Sequence, residues 1–424
     1  MALVAVWVAL AVLVSGAILS LDKSVTFRSN TEKVRVELLL SEPVSSFVLP
    51  LTQGEFRRLS YAILTPDPKQ SSYKEFRVLD NPPRNAPKDF VYLEVKGLEP
   101  TEKLSLRLGF VHPTRAYPST VKDGEPILVK YEGNVLFLSL EPIEKLQSVF
   151  DLGTSDIKSF GAADGSQGSK AGQKVSFSAS NLSPLSFLAA DFHFKAEHSF
   201  ITVTKLVKEF EVSHWGNVAV TESFEISNTA ANYTGSWSRL DYSRRVSRNN
   251  AFSFDSVRLK LPKNSHNIHF RDYLGNISTS TVRRTRNEIN LDLMPRFPLV
   301  PSWKTDFYVS YDVPSAEVLK LDSKTGKYLL TSQFGCSIPF AVVEELIVRV
   351  ILPEGASDAA DSLPFAVDEN SHSFRYTYLD TIGRPMLEFK KKNAGTLHNK
   401  NFEVFVLVAA SLDIARFRTT FPQE

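Results

Sequence analysis

The chain has 424 residues, 43% hydrophobic and 23% charged, a balance that excludes global disorder and leaves apolar surface for two or three separate cores. Lysine and arginine number 49 against 47 aspartate and glutamate, so at a net charge of +2 no chain-wide field draws nucleic acid or an anionic membrane. The single cysteine, Cys336, excludes an internal disulfide and a Cys-x-x-Cys pair, and with no activating neighbour it is expected to be a small buried apolar residue.

Leu3 to Val14 is an unbroken apolar run, followed by Ser15-Gly16-Ala17, small residues of the kind a signal peptidase cuts. Residues 1–20 are therefore predicted to be a secretory signal peptide, with the mature protein beginning near Ile18 to Leu21. A secretory chain with no possible internal disulfide fits residence in the endoplasmic reticulum better than life outside the cell.

Beyond that segment a period of two dominates. Val34, Val36 and Leu38 alternate with Arg35 and Glu37, and Val91, Leu93 and Val95 with Tyr92, Glu94 and Lys96. The pattern returns at Leu104 to Leu108, Val257 to Leu261, Phe307 to Tyr311 and Leu346 to Leu352. Such runs predict half-buried strands. Turn signals between them (Asp123-Gly124, Glu132-Gly133-Asn134, Thr325-Gly326) and the lack of a long amphipathic pattern predict a mainly β chain of two tandem antiparallel sandwiches. The first is expected over 21–203 and the second over 204–412, with 413–424 a short tail. Gly153 to Lys174, rich in Gly, Ser, Ala and Asp, is expected to be a flexible loop late in the first domain. A faint echo of Val111-His112-Pro113-Thr114 in Asp312-Val313-Pro314-Ser315 hints at duplication.

Catalytic signatures are missing: the sequence has no phosphate loop, His-Glu-x-x-His helix or nucleophile elbow. Asp191, His193 and His198 are the nearest approach to a metal set, but His193 and His198 have opposite strand parity, and so do Glu344 and Glu345 as an acid and base pair. No catalytic residue, metal or cofactor is predicted. Three sequons stand at Asn181-Leu182-Ser183, Asn232-Tyr233-Thr234 and Asn276-Ile277-Ser278. Asn276 and Asn232 are the expected glycan acceptors, because both lie in turn-like surroundings, whereas Pro184 stiffens the Asn181 site. The stretch Trp237 to Arg245 mixes aromatic and basic residues, and alternation favours a solvated surface segment over a ligand site.

From His214 onward a series of motifs resembles the ribophorin I family. In order they are His214-Trp215-Gly216-Asn217-Val218-Ala219-Val220, Arg239 to Arg244, Tyr273-Leu274-Gly275-Asn276-Ile277-Ser278, Pro295-Arg296-Phe297-Pro298-Leu299, Trp303-Lys304-Thr305, Ile351 to Ala356 and Tyr376 to Pro385. Phe110-Val111-His112 to Pro118-Ser119 and Tyr131 to Asn134 extend the resemblance into the first half. It implies a luminal pair of β-sandwich domains in a non-catalytic subunit of the oligosaccharyltransferase of the endoplasmic reticulum. The implied partners are other subunits, the catalytic one included, and nascent polypeptides at the translocon. It also implies a transmembrane helix after the last luminal strand. Phe402 to Leu412 is about half the roughly 20 residues such a helix needs, so it reads as a final strand. The alternative reading is a secreted β-sandwich glycoprotein acting as a ligand-binding or adhesion module.

Overall fold

The computed structural model describes residues 17–28, 30–65, 73–79, 87–165, 168–244, 252–376 and 383–408. Most of the expected signal segment lies outside them. In the first half, eight strands are β1 (Ile18–Arg28), β2 (Thr31–Val44), β3 (Leu59–Thr65), β4 (Lys74–Glu75), β5 (Thr101–Val111), β6 (Ile143–Asp151), β7 (Ser169–Ala171) and β8 (Lys174–Leu182). They form one sheet in the order β7-β8-β6-β1-β2-β5-β3-β4. The second half supplies β9 (Ile201–Val212), β10 (Asn217–Asn228), β11 (His266–Asp272), β12 (Gly275–Asn276), β13 (Lys304–Pro314), β14 (Val342–Ile351), β15 (Glu369–Arg375) and β16 (Arg384–Ala394). Their order is β15-β16-β14-β9-β10-β13-β11-β12, the first sheet repeated strand for strand.

The pairing directions repeat as well. Each sheet opens with an antiparallel hairpin, β1 with β2 and β9 with β10. In each, the free edge of the first strand is then taken by a late strand running parallel, β6 beside β1 and β14 beside β9. The fold is thus mainly β as expected, but not purely antiparallel. Alternation fixes which residues face inward and is blind to strand direction. The faint sequence echo falls on corresponding positions, the ends of β5 and β13.

Smaller sheets cover the inner faces. In the first half a four-stranded sheet includes Leu128–Tyr131 and Ala190–Lys195, and in the second a three-stranded sheet includes Val257–Pro262 and Glu288–Leu293. Two apolar clusters result. One gathers Leu21, Val36, Leu106, Phe150, Phe192 and Phe194, the other Leu206, Phe224, Leu291, Val348, Phe389 and Phe402. Cys336 lies in the second, where burial, reinforced by the Glu222 carboxylate, pushes its thiol up to about 12 and makes it inert.

The expected mature start near Ile18 to Leu21 falls at the head of β1, where Ile18 is buried and pairs with Leu40 and Ile143. The expected 153–174 loop contains the strand Ile157–Ala162 and β7, because Ile157 and Phe160 pack on the first core while Gly153, Gly165 and Gly172 take the left-handed turn positions. Ala230, Phe252 and Val300, all beyond residue 203, pack into the first core, so the two halves interlock across the expected boundary.

Polar contacts fix that seam. Asn30 donates to His112 Nδ1 (2.7 Å) and to Thr202 Oγ1 (3.0 Å), and His112 Nε2 lies 3.0 Å from Glu344 Oε1. Thr120–Val121 pairs in parallel with Asn232–Tyr233, and Asn393 donates to the carbonyl of Arg57 (2.9 Å).

Each core also encloses charge. Lys208 on β9 lies 3.3 Å from Glu222 on β10, and Tyr311 donates to the same carboxylate at 3.0 Å. In the first half Lys23 donates to the carbonyls of Asn134 (2.7 Å) and Leu136 (2.8 Å), while Tyr131 donates to Glu32 at 2.9 Å. Both Lys23 and Glu32 border a cavity of about 40 Å³. Burial lowers the Lys23 pKa from 10.5 to about 8, opposed by the Glu32 charge, and burial raises that of Glu32. Replacing Lys23 by Met strands the buried carbonyls of Asn134 and Leu136 and removes a positive charge that acts on Glu32, and we expect a loss of about 1–3 kcal/mol in urea unfolding, with Lys23→Met/Glu32→Gln costing less than the two changes summed. Between about pH 8 and 10 the unfolded chain holds a proton that folded Lys23 has released. Stability should therefore rise with pH across that window in the parent and stay flatter in Lys23→Met.

Candidate functional site

The motifs that carry the resemblance are spread over the sequence, yet three of them meet at one surface groove. The end of β11 supplies Phe270 and Asp272, the next turn Tyr273 and Leu274, and the start of β13 Trp303 to Phe307. Between them Pro295 to Leu299 forms the remaining wall of a cavity of about 170 Å³. Its floor is core: Phe270 meets Phe307 edge to face at 5.2 Å, and Phe307 lies 5.3 Å from Phe224. The rim is open. Tyr273 is 80% exposed and Leu274 63%.

One ion pair shapes the rim. Asp272 Oδ1 accepts the backbone N–H groups of Leu274 and Gly275, both at 3.0 Å, which folds the turn over the carboxylate. Gly275 takes φ +135°, a conformation that side chains resist. Arg296 grips Asp272 with Nε and with Nη2, the latter at 3.0 Å, and Nη2 lies 3.4 Å from the Gly275 carbonyl. The guanidinium beside it holds the Asp272 carboxyl below the usual carboxylate range. With its donors turned to this turn, Arg296 braces the groove, and what the groove offers a ligand is chiefly apolar and aromatic surface.

Asn276 follows this turn and is exposed on the two-residue edge strand β12. Asn232 is also exposed, at the seam, where Ser302 Oγ donates to its Oδ1 at 3.3 Å. Asn181 is exposed with φ +53°. Asp191, His193 and His198 do not converge: Asp191 pairs with Lys130 at 3.3 Å, His193 Nε2 meets the Tyr117 carbonyl at 3.0 Å, and His198 packs on Phe200 at 4.8 Å. Burial lowers the His198 pKa to about 4.

Glu344 has His112 as its partner, a contact across the seam that no local pattern announces. The stretch Trp237 to Arg245 differs from its alternating reading, for Arg239–Ser243 is a short helix capped by Ser238. Trp237 packs against Trp303 at 5.2 Å and Tyr242 is buried, so these aromatics serve packing; Arg245 lies outside the described residues. Among the described residues no helix is long and apolar enough to cross a membrane, and no three metal-ligating side chains come together.

The fold and groove define a mainly β protein in which one eight-stranded sheet order recurs in each half, with an ion-pair-braced recess on the second. Residues 18–406 match the family model for Ribophorin I, and the chain belongs to that family. It is similar to "Dolichyl-diphosphooligosaccharide--protein glycosyltransferase subunit 1B" of Arabidopsis thaliana, 28% identical over 381 residues that cover 88% of this chain and 81% of that one. Subunit 1A of the same plant is 32% identical over 387 residues, covering 88% and 62%. Subunit 1 of Caenorhabditis elegans is 38% identical over 216 residues, covering 50% and 36%. The match thus spans less than two thirds of the length of the last two relatives.

Asp272 and Arg296 give the groove a pH signature. A carboxyl whose folded pKa is depressed adds stability above its unfolded value, about 3.9, and loses it as pH falls through the folded value. Arg296→Ala should lower the unfolding temperature modestly at pH 7, because the pair is bidentate but partly exposed. Thermal unfolding of parent and variant should converge as the pH falls through the depressed folded value of Asp272.

Proposed function

We propose that the chain serves as subunit 1 of the oligosaccharyltransferase, the complex that transfers a preassembled glycan from dolichyl diphosphate to asparagine of nascent proteins in the endoplasmic reticulum. The observation that carries this reading is the family match over 18–406 together with relatives named as that subunit. In this reading the chain is non-catalytic by itself. It faces the lumen, contacts the catalytic subunit and other subunits, and presents or retains nascent polypeptides at the translocon. Its two domains, 21–203 and 204–412 with the first extended back to Ile18, act as the scaffold, and the groove beside Asn276 is the surface that meets a partner or acceptor.

Several features support this division of labour. The groove encloses about 170 Å³, its charged pair is occupied with the turn, and its aromatic rim suits sequence-tolerant contact with side chains. We further propose that Asn276 carries an N-glycan and Asn232 a second, both side chains being exposed.

Affinity isolation of the tagged chain from microsomes in gentle detergent should recover the catalytic oligosaccharyltransferase subunit, and the purified chain should transfer no glycan from a lipid-linked donor to an acceptor peptide. Repeated isolation without that subunit, or robust transfer by the chain alone, contradicts the reading. Asn276→Gln should increase the gel mobility of chain made in the endoplasmic reticulum by one glycan, and an unchanged band rules that acceptor out.

A further inference from the structure

The far end of the second large sheet, opposite the groove, collects exposed aromatic rings. The register of β9, β14 and β16 places Glu211 beside Ile351 and Ile351 beside Met386, so Val212, Leu352 and Pro385 mark one end of the sheet. At that end the hairpin Ser213 to Gly216 carries Trp215 at its tip, 81% exposed. The tip is held open: Ser213 Oγ accepts the Trp215 N–H at 3.1 Å, Gly216 takes φ +92°, and Ser315 N–H donates to the Gly216 carbonyl at 2.9 Å. Three strands away, roughly 15 Å at ordinary strand spacing, β15 carries Phe374 opposite Pro385 just before its last residue, Arg375, and Tyr376 comes next. They are 62% and 67% exposed, and the Tyr376 ring lies over Gly383.

The charges at this end are ordered too. Arg384 pairs with Glu211 and donates to the Val212 carbonyl at 3.1 Å, and Arg375 pairs with Glu209 at 3.1 Å; Glu354 stands in the turn after β14 and His214 beside Trp215. The last described strand, Asn401–Val408, also ends here, with Val408 opposite Ala356 just past the end of β14.

We propose that this end of the second half docks on the headgroup region of a phospholipid bilayer, with Trp215 inserted and Phe374 and Tyr376 flanking it. Trp and Tyr settle where an apolar ring meets water and headgroups, and arginine keeps its charge in water while its stem lies along apolar surface. A protein partner would be served by one contiguous apolar patch; here the rings stand on a hairpin tip and an edge strand with the Arg384–Glu211 and Arg375–Glu209 pairs at the same end, which suits a soft, deformable surface. The inference goes beyond the proposed subunit role and does not depend on it.

The test uses the full chain in a Trp7→Phe background, bearing a C-terminal oligohistidine tag and tethered to phosphatidylcholine vesicles containing a nickel-chelating lipid. Tethering supplies a high local concentration, so weak affinity does not hide contact. Vesicles of brominated phosphatidylcholine should quench the tryptophan emission, and unbrominated ones should shift it to the blue. Both effects should vanish in Trp215→Ser, because Trp237 and Trp303 lie toward the opposite end of the half. Trp215 packs on nothing that the fold needs, and an unchanged unfolding temperature confirms the variant is native. Phe374→Ser/Tyr376→Ser should reduce the quenching without abolishing it. Absence of quenching in the tethered parent, or equal quenching in native Trp215→Ser, overturns the proposal.

Discussion

The architecture depends on one pairing made twice, the parallel contact of an opening strand with a strand more than a hundred residues later. β1 and β9 each lie near the middle of an eight-stranded sheet. Their hairpin partners β2 and β10 satisfy one edge locally, and the other edge carries a full row of N–H and C=O groups that only β6 and β14 satisfy. Until those strands arrive, Leu21, Val25 and Leu206 lack neighbours on one side. The covering sheets, the seam and the groove are built on the platform that this closure completes.

The buried charges tie into the same constraint. Both halves enclose a lysine on the opening strand and a glutamate on its hairpin partner, but the tyrosine comes from different places: Tyr131 from the covering sheet of the first half, Tyr311 from β13 of the main sheet. In the second half lysine and glutamate touch, whereas in the first each finds separate partners around a small cavity. Two copies of one sheet have thus met the cost of internal charge by different geometries. Each arrangement penalises a slip of one residue along the hairpin, which would turn Lys23 away from its two carbonyls or Lys208 away from Glu222 and bring a neighbour of opposite parity inward.

What was legible in the sequence follows from what alternation encodes. Val34 to Leu38 and Leu104 to Leu108 announced half-buried strands because each has one wet face, and they are β2 and β5. Lys23, Glu32, Lys208 and Glu222 were illegible, since a charged residue in an alternating run reads as outward and its buried partners lie on other strands. The strand Ile157–Ala162 was hidden by surrounding Gly and Ser, which serve its turns, and the helix Arg239–Ser243 by its shortness. The groove was half legible. Its motifs stood out one by one, but only the antiparallel pairing of β11 with β13 brings Asp272 and Trp303 to one place.

Trp303 shows why groove and seam form a single mechanical unit. Its carbonyl accepts the Asn228 N–H at 3.0 Å, its ring packs on Trp237 beside the first core, and it also lines the groove. Asn228 in turn donates to the carbonyls of Phe252 and Leu299, both at 3.0 Å, one residue from the first core and one from the groove wall. A shift of the halves that strained the Asn30, His112 and Glu344 contacts would have to move Trp303 or break these bonds. Packed interiors resist such gradual deformation, so a partner seated on the first half and a ligand in the groove would each act on one shared set of contacts.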